Sequence, residues 1–146
     1  MKKNIPFLLM LMILTTVKLS HAQEVPLNDT LMMEIKHTAL LPYFNALKEG
    51  DVTAIKRYLG PDLYQKNRVL LEQNKEYPEF LRTFYQGVTI TIEKAAKANG
   101  NIIVDVVLEF PNGDRNLTQL SLVKDGRKSD GGPARQAWKI EKFIDR

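Results

Sequence analysis

The chain has 146 residues, 44% of them hydrophobic, a formal net charge of +4, two histidines and no cysteine. Disulfides, thiolate nucleophiles and cysteine metal sites are therefore excluded. A zinc site of two or three imidazoles is excluded as well, because His21 lies in a segment expected to be removed and only His37 remains.

That segment is the N-terminus. Lys2 and Lys3 precede an apolar core, Ile5 to Leu14, broken only by Pro6, and Ser20-His21-Ala22 follows as a small-x-small cleavage signal. The pattern is that of a signal peptide cut between Ala22 and Gln23, which implies a periplasmic or secreted protein with no membrane span after cleavage. The apolar run is short for a membrane-crossing helix of about 20 residues. Removal takes Lys2, Lys3 and Lys18 from the 21 basic residues and none of the 17 acids, leaving 18 against 17. No run of clustered Lys and Arg survives, so a nucleic-acid partner has no electrostatic footprint. Residues 23–146 fit one domain with a single core.

Asn28, Asp29 and Thr30 offer helix caps, and Met33, His37, Leu40, Phe44 and Leu47 recur at helical spacing as one buried stripe. Pro42 should kink that helix or divide it. Gly50 closes it, and Asp51 caps the next helix, Val52 to Leu59, which stops at Gly60-Pro61. A third helix, capped by Asp62, runs from Leu63 to about Asn74. Tyr77-Pro78 interrupts, and Glu79 to Tyr85 forms a last short helix presenting Phe80, Leu81 and Phe84.

Val88 to Phe110 then reads as a hairpin. Val88, Ile90 and Ile92 alternate with Thr89, Thr91 and Glu93, and on the return Ile102, Val104, Val106, Leu108 and Phe110 point one way while Asp105 and Glu109 point the other, beside Ile103 and Val107. A two-residue turn at Asn99-Gly100 alone would set Ile90 against Glu109 and mix polar with apolar groups. Clean segregation, with Ile90 opposite Leu108 and Ile92 opposite Val106, needs either a three-residue loop of Ala98, Asn99 and Gly100 or a bulge. Asp105 and Glu109 then share the polar face.

Pro111 to Asp114 is a turn, Asn116 to Val123 a third strand of undecided facing, and Lys124 to Arg135 a glycine-rich mobile loop. Ala137 to Ile144 is the last strand, with Trp138, Ile140 and Ile144 on one face.

Helices followed by an antiparallel meander make an α+β fold, with N-terminal helices in the concave face of a curved sheet. Tyr43-Phe44-Asn45-Ala46-Leu47-Lys48-Glu49-Gly50-Asp51, the meander, and Trp138-Lys139-Ile140 in the final strand together resemble the nuclear-transport-factor-two-like superfamily, whose fold is also called polyketide-cyclase-like or cone-shaped. The resemblance spans Leu31 to Ile144 and implies a cone-like half-barrel with a pocket between helices and sheet. It also implies two further possibilities: a dehydratase- or isomerase-type proton transfer at a pocket histidine or aspartate, and dimerisation through the sheet.

Three constellations could carry chemistry. His37, on the apolar stripe, could serve as a proton-transfer base, though nothing near it in sequence orients the imidazole. Asp105 and Glu109 could do acid–base work if they lined the pocket, but their register puts them outside. Eight of the 11 aromatic residues after residue 22 precede Val88, so Tyr43, Phe44, Tyr64, Phe80 and Phe84, with Trp138 from the last strand, could line an apolar pocket in which Arg82 anchors an anion. The reading is an exported, non-catalytic binding module for a small apolar or amphipathic ligand or a protein partner. The alternatives are a small proton-transfer enzyme using His37 and a sheet-mediated homodimeric assembly protein. No cofactor or metal is called for.

Overall fold

The computed structural model describes residues 24–125 and 137–145. Residues 1–22, the expected leader, and the segment from Gly126 to Arg135, expected as a loop, lie outside the described residues. The fold is α+β. Helices α1 (Asp29–Ile35), α2 (Leu41–Glu49), α3 (Val52–Tyr58), α4 (Pro61–Glu72) and α5 (Tyr77–Phe84) pack on an open antiparallel sheet. The sheet comprises β1 (Val25–Pro26), β2 (Thr89–Ala98), β3 (Asn101–Glu109), β4 (Arg115–Asp125) and β5 (Ala137–Asp145), in that order, as a cone-like half-barrel.

Local chemistry sets the helix ends. The Asn28 side chain accepts from the Leu31 amide at 2.8 Å, and Asp51 accepts from Ala54 at 2.9 Å. Gly50 ends α2 with φ +64°, and it does more than relieve strain: a Cβ there would lie 2.3 Å from the Pro78 carbonyl oxygen of α5. Pro61 and Pro78 both sit in first turns, where a missing N–H costs nothing. Gly60, rather than Asp62, is therefore the cap of α4, and α5 begins at Tyr77 instead of after it.

A π-helical turn, Lys36–Leu40, joins α1 to α2. Pro42 follows directly, with no N–H for a bond to the fourth residue back and a ring that crowds that residue's carbonyl. The wider turn makes room. It also rotates everything before it, so that Ile35, Ala39, Leu40, Tyr43, Phe44 and Leu47 face the core while Met33 and His37 are exposed. The expected stripe through Met33 and His37 is thus corrected, because it assumed an unbroken period of 3.6 residues.

The hairpin takes the bulge. Asn99 (φ +51°) and Gly100 (φ +82°) form a two-residue turn closed by Ala98 opposite Asn101, and an extra residue at Glu93 restores Ile92 to Val106 and Ile90 to Leu108. A second bulge, at Glu141, divides β5. Trp138, Ile140 and Phe143 face inward, while Ile144 pairs with Gln119 on the outer face, against its expected grouping with Trp138. In β4, Leu120 and Leu122 point inward opposite Val104 and Ile102, and Leu117 points out.

The core lies between the two layers. Ile35, Leu40 and Ile55 from the helices meet Val104, Val106, Leu120, Leu122 and Ile140, and none of these exposes any surface. A side chain with no exposed surface borders no void that could hold water, so the middle of the cone is filled. The α3–α4 turn is tied to the β5 edge by the Gly60 amide donating to the Ile140 carbonyl at 2.7 Å and by Lys139 Nζ donating to the Arg57 carbonyl.

Candidate functional site

Three tyrosines lie on or beside α2 and α5, which pack together over the sheet. Tyr43 comes from the second residue-pair of α2, Tyr77 opens α5, and Tyr85 follows its last turn. Tyr43 is 1% exposed and Tyr77 4%, and Tyr85 is half-buried. Burial pushes all three phenols up, Tyr77 to about 12, because a phenolate here would lose its hydration. Tyr43 is raised further by Tyr85 and Tyr77, and Tyr85 by Tyr77, because a second phenolate nearby would be repelled.

No hydrogen bond among the described residues engages these three hydroxyls. Yet no enclosed side-chain nitrogen or oxygen among those residues is left without a partner. Each phenol must therefore reach space that water or a ligand can enter.

The walls are rings. Tyr43 meets Phe44 edge-on at 5.3 Å and Phe143 at 6.4 Å. Along α5, Tyr77 stacks on Phe80 at 6.2 Å and Phe80 on Phe84 at 5.7 Å. Phe84 then meets Tyr85 at 5.0 Å and Phe110, at the end of β3, at 5.4 Å, both edge-to-face. Phe84, Tyr85, Phe110, Phe143 and Ile90 are half-buried, and Phe80 is 40% exposed.

The residues expected to line a pocket are thus only partly brought together. Tyr43, Phe84 and Phe80 belong to this cluster, and Phe44 lies behind it in the core. Tyr64 does not; its hydroxyl donates to Glu72 on the α4 surface, which raises the phenol and holds the carboxyl below its ordinary range, with Lys56 and Arg68 each 3.6 Å from that carboxylate. Trp138 is inward-facing but spent: its Nε1 donates to Glu34 at 2.9 Å, and Lys124 Nζ stands 5.3 Å over its ring and 3.8 Å from the same carboxylate. Arg82 faces outward. It donates to Glu79 at 2.6 and 3.0 Å and to the Glu49 carbonyl at 3.3 Å, so the expected inward anchor for an anion is corrected. Its place beside Gly50 explains this, since the guanidinium closes the C-terminal end of α2.

The candidate catalytic groups are elsewhere. His37 is exposed beside the π-turn and is in none of the contacts that shape the cluster. Asp105 accepts from Gln119 Nε2 at 2.6 Å on the outer face, in a shallow depression with Glu24, Lys94, Ala96 and Ile103, and Glu109 pairs with Arg115 at 2.9 Å. No three metal-ligating side chains cluster among the described residues, and no described helix is long and apolar enough to cross a membrane. At any ordinary pH the tyrosine trio offers neutral hydroxyls, each able to donate one hydrogen bond and accept others.

No known protein family, curated protein or solved structure matches the chain.

The sequence reading counted Tyr43, Tyr77 and Tyr85 among the helical aromatics but did not place Tyr77 and Tyr85 on one helix. Their signal was the Pro78 that seemed to break the helix: proline in a first turn marks a start. That reading would have put Tyr77 and Tyr85 at the two ends of one short helix.

Proposed function

We propose that residues 23–146 form an exported, non-catalytic binding module of the nuclear-transport-factor-two-like kind, which takes a small apolar or amphipathic molecule at the Tyr43–Tyr77–Tyr85 cluster. One observation carries this reading: three tyrosines whose hydroxyls have no partner among the described residues and reach open space, set among half-buried rings. A fully satisfied core would have used phenylalanine or given each hydroxyl an acceptor. Export rests on the leader pattern of Lys2 to Ala22.

The proton-transfer alternative loses its base with His37 on the surface. The assembly alternative gains little from the outer sheet face, where Ile103 and Val107 are already screened by their neighbours and the exposed positions include Thr89, Thr91, Lys94 and Arg115.

N-phenyl-1-naphthylamine, an uncharged dye that brightens in apolar surroundings, tests the reading. The mature protein should bind it saturably at one site, and Phe84→Ala should weaken that binding. A linear, unsaturable response would contradict it.

A further inference from the structure

We infer that two copies of this chain pair along their β2 edges, antiparallel about Thr91, so that the two sheets continue into one. The pairing uses backbone at the sheet edge, not the outer sheet face, and is independent of the tyrosine cluster.

The first ground is an edge left half covered. β1 lies beside β2, but it reaches only Lys97 and Ala96, with the Leu27 amide donating to the Ala95 carbonyl at 3.2 Å before the chain leaves for α1. From Thr89 to Glu93, nothing among the described residues hydrogen-bonds to the backbone on the side away from β3. The Ala95 carbonyl shows which groups face that side. Ala95, Ile92 and Ile90 lie opposite Val104, Val106 and Leu108, every second residue of a β3 that is itself unbroken against β4. All three therefore turn their N–H and C=O away from β3, with the bulge at Glu93 keeping the phase. Ile90 and Ile92 thus offer two donors and two acceptors to an incoming strand. Free edges are commonly blunted by proline, charge or a bulge. Pro26, Lys94 and the bulge guard the half beside β1, whereas Val88 to Ile92 carries none of these.

The second ground is that this stretch is its own complement. Thr89-Ile90-Thr91-Ile92 alternates symmetrically about Thr91. Antiparallel pairing there sets Ile90 opposite Ile92 of the second copy, and Thr91 opposite its counterpart. Each isoleucine pair exchanges both backbone bonds, so every free edge group is satisfied. The isoleucines, half-buried on the inner face, meet isoleucines, and the exposed threonines meet on the outer face, pairs that stabilise a sheet. Glu93 falls opposite Thr89, so no like charges meet. A slip of one residue would set isoleucine against threonine. The paired stretch ends where Gly87 (φ +72°) turns each chain back toward α5. An extended segment of another protein would use the same backbone groups, but the symmetry of the side chains selects a second copy.

Thr91→Cys tests the register. The chain has no cysteine, so a disulfide in this variant forms only between copies. Opposed residues that exchange no backbone bonds hold their Cα atoms about 4.5 Å apart, within disulfide reach. Mild oxidation should cross-link Thr91→Cys into a dimer and leave Thr83→Cys, on the exposed side of α5, as single chains. By light scattering the unaltered protein should have the mass of two chains and dissociate on dilution. Thr91→Lys, which opposes two cations at the axis, should raise the dissociation constant at least about ten-fold with unchanged circular dichroism. Should Thr91→Lys fail to fold, the two cysteine variants decide alone. A single-chain mass at every concentration overturns the inference and leaves the edge to a different strand, from this chain or from another protein. A dimer that Thr91→Lys leaves intact and Thr91→Cys does not cross-link also overturns it, and places the interface elsewhere.

Discussion

Tyr43 shows how much one hydroxyl can reveal. Its ring does core work, touching Phe44 and Phe143, so its burial alone was to be expected of an aromatic at that helical position. The atom on which the proposed binding rests is the oxygen, and sequence periodicity cannot say whether an oxygen finds a partner. The helical stripe through Leu40, Phe44 and Leu47 did not include Tyr43, which entered only as one of the aromatics before Val88. Arg82 failed for the same kind of reason: the helix pattern placed it among aromatics, but only the approach of α2 to α5 shows that it closes the end of α2. The phenols have a further consequence at high pH. Each is raised in the folded protein above its ordinary value near 10, so the folded state holds protons that the unfolded chain releases. Their stabilising contribution is complete below pH 10 and is lost as pH climbs, for Tyr77 through the window from 10 to about 12. Stability measured by urea unfolding should fall above pH 10 by up to about 1.4 kcal/mol per pH unit for each of the three. The lone Trp138 reports the transition by fluorescence. A flat profile from pH 10 to 11.5 would mean that these phenols are not buried.

At the scale of elements, two irregularities decide what faces inward, and they differ in how readable they were. The hairpin bulge was legible as a necessity: Asn99-Gly100 asks for a two-residue turn, the apolar alternation asks for one residue more, and Glu93 supplies it. The choice between bulge and longer loop was not legible, because both give the same pairs from Ile92 to Val88. The π-turn was harder. Pro42 announced a disturbance but not its form, and inserting a wider turn moved His37 from an apparent core position to the surface. The enzyme alternative rested on that one angle. The α2–α5 contact is the element-level feature on which the site depends, and Gly50 is its narrowest point. Gly50→Ala meets both a positive φ and the Pro78 carbonyl, and should destabilise the fold by about 2–4 kcal/mol, the sum of backbone strain and overpacking. It should also weaken dye binding in whatever fraction remains folded, since Tyr77 opens α5 and Tyr85 directly follows it. Calorimetric unfolding of the variant checks this, and an unchanged midpoint would show that the helices are free to separate there.

The molecule as a whole is a cone filled at its centre and incomplete at one side. Over β3, β4 and β5 the inner-face residues Val104, Val106, Leu120, Leu122 and Ile140 are wholly covered, whereas Ile90 and Ile92 of β2 and Phe110 remain half-buried. The α+β class and the order of elements follow from patterning that is written in the chain, because helices with one apolar stripe need a sheet with one apolar face. How far the helices extend across that sheet depends on side-chain volumes summed over the whole core, and no local pattern encodes it. A pocket at the centre of the cone was therefore a fair expectation from the resemblance, and the filled centre moves the candidate site to the aromatic flank between α2, α5 and Phe110. Native mass spectrometry of the protein, purified without organic solvent from the cells that make it and from their medium, tests that placement most directly. The expected spectrum shows one small molecule bound per chain, a peak lost in Tyr43→Phe. A spectrum of the bare chain alone, from material never exposed to solvent, would contradict a ligand site at the tyrosines.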